Sequence, residues 1–288
     1  MNIKEAIELG IKLLKENKIQ EPVLKCKIIL ANILQKKKEY LLINENEIID
    51  KTIEEKYNKQ IEKLCNHIPL QYITNKQEFM GIDFYIDENV LIPQPDTEIL
   101  VEEAISICKK ENINKTIQIL DLCTGSGAIG ISIAKNIENA SILLSDISIK
   151  ALDVANKNIE RTGICSTKNK IDVVQSDLFE NINNKFDVIV SNPPYIKTEI
   201  INTLDKEVQN EPLIALDGGQ DGLEIYRKII AESYKYLNKD GYLCLEIGYD
   251  QKEEVIELLN RSKKFKDIYS KKDLAGNDRI VICKRGDI

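Results

Sequence analysis

Two short stretches carry residue types that could do group-transfer chemistry. The first, "SNPPYI" (Ser191–Ile196), sets an Asn and two consecutive prolines directly after the apolar run "FDVIV". Neither proline has an N–H to give a sheet ladder and each fixes its own φ, so the chain must leave the sheet here in a stiff, extended form. In that form the side-chain oxygen of Asn192 and the carbonyl of Pro193 become fixed acceptors, and Tyr195 adds a planar wall. Two acceptors and a flat wall suit a planar –NH2 group: an amide, or the exocyclic amine of adenine or cytosine. Such a nitrogen is a poor nucleophile because its lone pair is delocalised. Catalysis must then come from fixing its hydrogens and aligning it with the bond under attack. The plainer reading is a turn that only ends a strand.

The second stretch, "ILDLCTGSGAIGISIA", places Gly125, Gly127 and Gly130 as G-x-G-x-x-G between a strand pattern and a helix pattern. Glycine allows unusual φ and close approach of a ligand to backbone, and the helix start supplies free N–H groups. About 20 residues on, in "SILLSDI", Asp146 stands where a carboxylate can accept from both hydroxyls of a ribose. NAD and S-adenosylmethionine both fit this arrangement. Asp121, just before the turn, favours the second, because a carboxylate suits a sulfonium and an amino group and opposes a pyrophosphate. A loop-ordering acid is the bland alternative. In "QSDLFE", Asp177 could accept from an adenine amine and Phe179 could offer it an apolar face, unless Phe179 is simply core.

These residues need a scaffold that brings strand ends together. After Glu98 the sequence alternates strand-like and helix-like segments: "TIQILDL", a helix from Ala128, "SILLSDI", a helix from Ser148, "IDVVQSD" and "FDVIVSN". That order predicts βαβ units and a mainly parallel α/β sheet with helices on both faces. A long loop follows from Ile196, then a helix near 223–237, the strand "GYLCLEIG", a helix from Gln251 and a final strand pair. Ahead of this, residues 1–75 repeat apolar positions at helical spacing (Ile3, Ile7, Ile11, Leu14; Ile53, Tyr57, Ile61, Leu64), which predicts a small helical bundle. Residues 76–98 approach period two around Gly81, which predicts a β-hairpin linker ended by Pro93 and Pro95. Residues 99–288 form the third region.

Composition narrows the chemistry. A formal net charge of −7 over 288 residues argues against stable binding of bare nucleic acid, which normally leaves a basic footprint. Seven single cysteines without a C-x-x-C pair fit neither a zinc site nor a disulfide framework, so reduced thiols in a cytoplasmic protein are expected. No apolar stretch approaches the ~20 residues of a membrane span, and no membrane partner is expected. The single histidine, His67, excludes multi-histidine metal sites, and no metal is expected.

The combination "DLCTGSGAIGI", "SDIS...AL..A..N", "SNPPYI" and "EPLIALDGGQDGLEIYR" closely resembles the HemK/PrmC family over nearly the whole chain. These are protein N5-glutamine methyltransferases that modify the Gln of Gly-Gly-Gln in peptide chain release factors. The resemblance implies a Rossmann-like S-adenosylmethionine-dependent methyltransferase sheet with an antiparallel C-terminal strand, and a front domain that docks the release factor. It also implies that Thr124, Gly125, Ser126, Gly127, Asp146, Phe179 and Asn192 contact the cofactor, while Asn192, Pro193, Pro194 and Tyr195 receive the substrate glutamine. NPPY-type turns also serve adenine-N6 methylation of nucleic acids, so that activity is the rival. Two stretches depart from the family pattern: Gln94-Pro95-Asp96 stands where Arg-Pro-Glu is usual, and Cys123 replaces the first Gly of Asp-Leu-Gly-Thr-Gly. The chain's own Gly218-Gly219-Gln220 belongs to the family's loop and is not expected to be a substrate.

Overall fold

The structure, a computed structural model, describes residues 1–111, 115–164 and 168–287. They fall into two compact units, Met1–Lys76 with Asp205–Asn210, and Gln77–Leu204 with Glu211–Ile288. The segment 205–210 therefore groups with the front helices, although the sequence places it in the middle of the long loop.

The first unit holds α1 (Ile3–Glu16), α2 (Pro22–Leu34), α3 (Lys38–Ile43), α4 (Lys51–Cys65) and α5 (Leu70–Thr74). Helix α1 starts on a capping box, in which Asn2 accepts from the Glu5 N–H and Glu5 accepts from the Asn2 N–H. Apolar faces of three helices make its core: the predicted Ile3 and Leu14 of α1 and Tyr57, Ile61 and Leu64 of α4 are buried together with Ile29 and Leu30 of α2. Buried Lys25 pairs with Glu207, and Asn210 Nδ2 donates to the His67 carbonyl at 3.1 Å, which ties 205–210 to these helices.

The second unit opens with the hairpin β1 (Gln77–Phe79) and β2 (Ile82–Phe84). Met80 and Gly81, at φ 52° and 72°, form its tight turn. A single 3-10 turn at Pro95–Thr97 leads into α6 (Glu98–Glu111). Then come β3 (Ile117–Leu122), α7 (Ala128–Asn136), β4 (Ala140–Asp146), α8 (Ile149–Thr162), β5 (Lys170–Gln175) and β6 (Phe186–Ser191). The predicted long loop carries two short helices, α9 (Thr198–Ile201) and α10 (Leu213–Leu216). The chain ends with α11 (Glu224–Tyr236), β7 (Leu237–Glu246), α12 (Lys252–Ser262), β8 (Phe265–Lys272) and β9 (Asp278–Arg285).

Seven strands form one sheet in the order β5-β4-β3-β6-β7-β9-β8. Strands β3 to β7 run parallel, and β9 is antiparallel to both its neighbours. The central strands β3 and β6 are apolar on both faces, as burial between helix layers requires. The chain order turns back at β3, so the carboxyl ends of β3 and β6 flank the switch point where such sheets bind ligands.

Among the described residues no helix is long and apolar enough to cross a membrane, and no group of His, Cys, Asp or Glu could hold a metal ion. Six cysteines are free thiols. The seventh, Cys165, lies outside the described residues.

Candidate active site

Register places the two stretches side by side. Leu122, the last residue of β3, pairs with Ser191, the last of β6, and the Ser191 hydroxyl donates to the Leu122 carbonyl at 2.7 Å. The glycine turn and the proline turn thus leave the sheet from adjacent positions.

The glycine turn winds through left-handed backbone at Cys123 (φ 61°) and Gly125 (φ 55°). Cys123 therefore holds a conformation that glycine adopts freely and that costs an L side chain ~1 kcal/mol or more. At Gly125 no atom lies within 4 Å of where a Cβ would stand, so its bare side faces open space. The Gly125 N–H donates to Asp146 Oδ2 and the Ser148 N–H to Asp146 Oδ1, both at 2.9 Å. Each oxygen keeps a second lone pair. Burial raises the Asp146 pKa above the usual carboxylate value, while the backbone N–H groups at Ser148 and Gly125 hold it down.

Asp121 departs from expectation. Its side chain is fully buried beneath the turn, where Oδ2 accepts from the Thr124 hydroxyl at 2.6 Å and the Gly130 N–H at 2.8 Å. Burial pushes its pKa up to about 7. It orders the loop through Thr124 and Gly130.

A cavity of about 620 Å³ opens over both turns. Of the residues predicted from sequence, Thr124, Gly125, Ser126, Asp146, Asp177, Asn192 and Pro194 line it. Gly127, Phe179, Pro193 and Tyr195 do not. Gly127, at φ 80°, is taken up in capping α7. Phe179 is 2% exposed and stacks on Tyr236 with ring centroids 4.6 Å apart, so Leu178 takes the apolar place expected for it. Pro193 is buried. The Tyr195 ring packs against the core and its hydroxyl donates to Glu246 Oε1 at 3.5 Å, so Tyr195 braces the turn from behind and forms no wall.

The lining fits a nucleoside-bearing cation. Its volume lies in the range of cofactor pockets. Asp146, Asp177 and Asp217 face it against the single ammonium of Lys228, a balance that favours a sulfonium over a diphosphate.

Several residues outside the predicted set also hold the site. Asn158, the last letter of "SDIS...AL..A..N", is fully buried. Its Nδ2 donates to the carbonyls of Tyr85 and Ser126 at 3.0 and 2.9 Å, and its Oδ1 accepts from the Tyr85 N–H at 2.7 Å. Buried Glu211 accepts from the Ile92 N–H at 2.9 Å. It thereby joins two walls of the cavity, that of Pro93 and Gln94 and that of Leu213 and Ile214. Gln94 donates to the Ile92 carbonyl at 3.0 Å, a neutral bond where the family usually has a cation. The loop after the proline turn is pinned as well: Ile196 bridges to Asp217, and a Cβ on Gly218 would meet the Tyr195 Cα at 2.7 Å.

Residues 97–205 match the family described as Methyltransferase small domain, and residues 5–74 match the PrmC N-terminal domain. The chain is 39% identical over 292 residues to the release factor glutamine methyltransferase of Clostridium acetobutylicum, covering 100% of both chains. It is 42% identical over 227 residues to the enzyme of the same name from Agrobacterium fabrum, covering 78% of this chain and 77% of that one. The chain belongs to the release factor glutamine methyltransferase family. A methyltransferase from Pyrococcus furiosus shares the fold, with TM-score 0.52 at 19% identity over 80% of this chain and 99% of that one. The family accounts for the pairing of a glycine turn with an Asn-Pro-Pro-Tyr turn over one cavity.

Proposed function

We propose that this chain transfers a methyl group from S-adenosylmethionine to the side-chain amide nitrogen (N5) of the Gln in the Gly-Gly-Gln motif of peptide chain release factors, in the cytoplasm, with the helical unit docking the substrate. The observation that carries this reading is the position of Asn192, one residue beyond the Leu122–Ser191 pair, in the same cavity as Gly125 and Asp146. Bound S-adenosylmethionine supplies a methyl group activated by its sulfonium.

The chain's own residues do the rest. Asp146 accepts from the ribose hydroxyls, and the bare face of Gly125 lets the ligand approach backbone. Asp177 and Leu178 receive the adenine. Asn192 Oδ1 accepts a hydrogen of the substrate amide and Pro194 limits its tilt, so the nitrogen is presented along the line of transfer. Fixing the amide in this way is the main catalytic contribution, because its lone pair is weakly nucleophilic. The proton leaves after transfer, and the motif needs no strong base.

Peptide mass spectrometry tests this directly. Purified release factor incubated with the protein and S-adenosylmethionine should gain one methyl on the Gln of Gly-Gly-Gln, with none gained under Asn192→Ala. Methyl transfer to adenine in DNA or RNA, with none to release factor, would overturn the reading.

A further inference from the structure

Pro193 and Pro194 have no N–H to donate, so the turn that carries Asn192 depends on what holds its two ends. At the near end, Ser191 pairs with Leu122 and its hydroxyl bonds the Leu122 carbonyl. At the far end, the Tyr195 carbonyl accepts from Gln251 Nε2 at 2.9 Å. Gln251 stands at the start of α12, is 5% exposed, and is not among the residues that line the cavity. Its amide holds two further backbone groups: Nε2 also donates to the Gly222 carbonyl at 3.2 Å, and Oε1 accepts from the Gly248 N–H at 3.0 Å. The two carbonyls only accept and the N–H only donates, so the amide has a single permitted sense. The backbone closes tightly on it. A Cβ on Gly222 would stand 2.5 Å from the Tyr195 carbonyl oxygen and 2.7 Å from Gln251 Nε2, and one on Gly248 would stand 2.8 Å from Gln251 Oε1. A side chain at either glycine would push the amide off its partners.

We infer that Gln251 is a positioning residue for methyl transfer, which fixes the far end of the Asn-Pro-Pro-Tyr turn and so holds Asn192 in line. This rests on the role given to Asn192 above. Each proline fixes its own φ, so the turn passes a displacement along and does not absorb it. Freed at Tyr195, it would pivot about Ser191 and carry Asn192 off the line of transfer. Misplacing an aligning group by about 1 Å can cost about a hundredfold in rate. Gln251 thus acts on the rate without touching cofactor or substrate, and it ties the turn to the end of the 218–222 loop and to the bend after β7.

Gln251→Glu in the full chain tests this, because it keeps the side chain's size and an acceptor for Gly248 but sets an oxygen against two carbonyls. Single-turnover methyl transfer to release factor at saturating cofactor should slow about tenfold, the size of one hydrogen bond. Cofactor Kd by calorimetry and half-saturation by release factor should stay unchanged. In an Asn192→Ala background the same substitution should cost little more, since the group it misplaces is already gone. Wild-type transfer by Gln251→Glu, a loss seen only as weaker cofactor binding, or an equal further loss in the Asn192→Ala background overturns the inference. Circular dichroism checks the fold, and if Gln251→Glu fails to fold, the uncharged Gln251→Met, which also leaves both carbonyls unpaired, is read by the same criteria. If Asn192→Ala alone transfers normally, the reading of Asn192 fails and not merely the clamp behind it.

Discussion

The two turns over the cavity leave the same sheet edge from paired residues, yet they are built by opposite means. The turn after β3 is permissive: left-handed backbone at Cys123, Gly125 and Gly127 curls the chain tightly and leaves Gly125 bare toward the cavity. The turn after β6 is stiff, with two prolines fixing the backbone so that one side chain, Asn192, is aimed. Beneath each lies a buried carboxyl with one oxygen unpartnered, Asp121 Oδ1 and Glu246 Oε2. Asp121 bonds the backbone N–H of Gly130 and the hydroxyl of Thr124, so it shapes a loop. Glu246 accepts from the Tyr195 hydroxyl, so it braces the last residue of the Asn-Pro-Pro-Tyr turn. The first turn opens space beside its backbone, and the second fixes the direction of one side chain.

Substitutions in the two turns should separate these functions. Asn192→Ala should cut single-turnover transfer by at least ~100-fold, the ~2.7 kcal/mol typical of a lost transition-state hydrogen bond, while calorimetry finds cofactor Kd little changed; equal losses in both would erase the distinction. Asn158→Ala strips three backbone groups of their partner and should lower unfolding free energy by ~2 kcal/mol in urea titration; a native midpoint would show that the clamp between Tyr85 and Ser126 is dispensable. Asp146→Ala should weaken cofactor binding about tenfold, worth ~1.4 kcal/mol, with saturated turnover largely kept. An unchanged Kd would place the ribose acid elsewhere.

The buried acids set a pH trend. Asp121 keeps its proton in the folded chain up to about 7, whereas the unfolded chain releases it near ~4. Stability therefore falls as pH rises between those values, and Glu211 and Glu246, both also raised to about 7, act in the same sense. Asp121→Asn keeps an acceptor for Thr124 and Gly130 and should flatten part of the slope of denaturation midpoint against pH; an identical slope would remove Asp121 from the account. The smallest effect belongs to Cys123→Gly, which relieves the left-handed conformation at some cost in unfolded-chain entropy and should stabilise by ~0.5 kcal/mol. A lower thermal midpoint would mean that the thiol packs better than the backbone is strained.

The sheet was legible because each strand ends on punctuation: Gly125 after β3, Asp146 after β4, Pro193 after β6. Local patterns also marked seven of the residues that line the cavity, since strand-end residues reach a switch point whatever their neighbours. Side-chain direction was not legible. Phe179 turned inward because Tyr236, 57 residues on, offers a stacking partner. Tyr195 turned back because Glu246 awaits its hydroxyl. Asn158 read as one letter of a family motif, and only the distant chain at Tyr85 that packs on it shows what it holds. Segment 205–210 joins the helical unit through Lys25–Glu207, a pairing of residues 182 apart.

The chain carries in Gly218-Gly219-Gln220 the same tripeptide its family modifies in release factors. Gly218 is wedged against the Tyr195 backbone, its N–H bonds the Ile196 carbonyl at 2.8 Å, and the Gln220 side chain is exposed. To present that glutamine as a substrate, the loop would have to peel away from the very turn that must receive it. Within one molecule the bait is part of the trap, and freeing the one loosens the other.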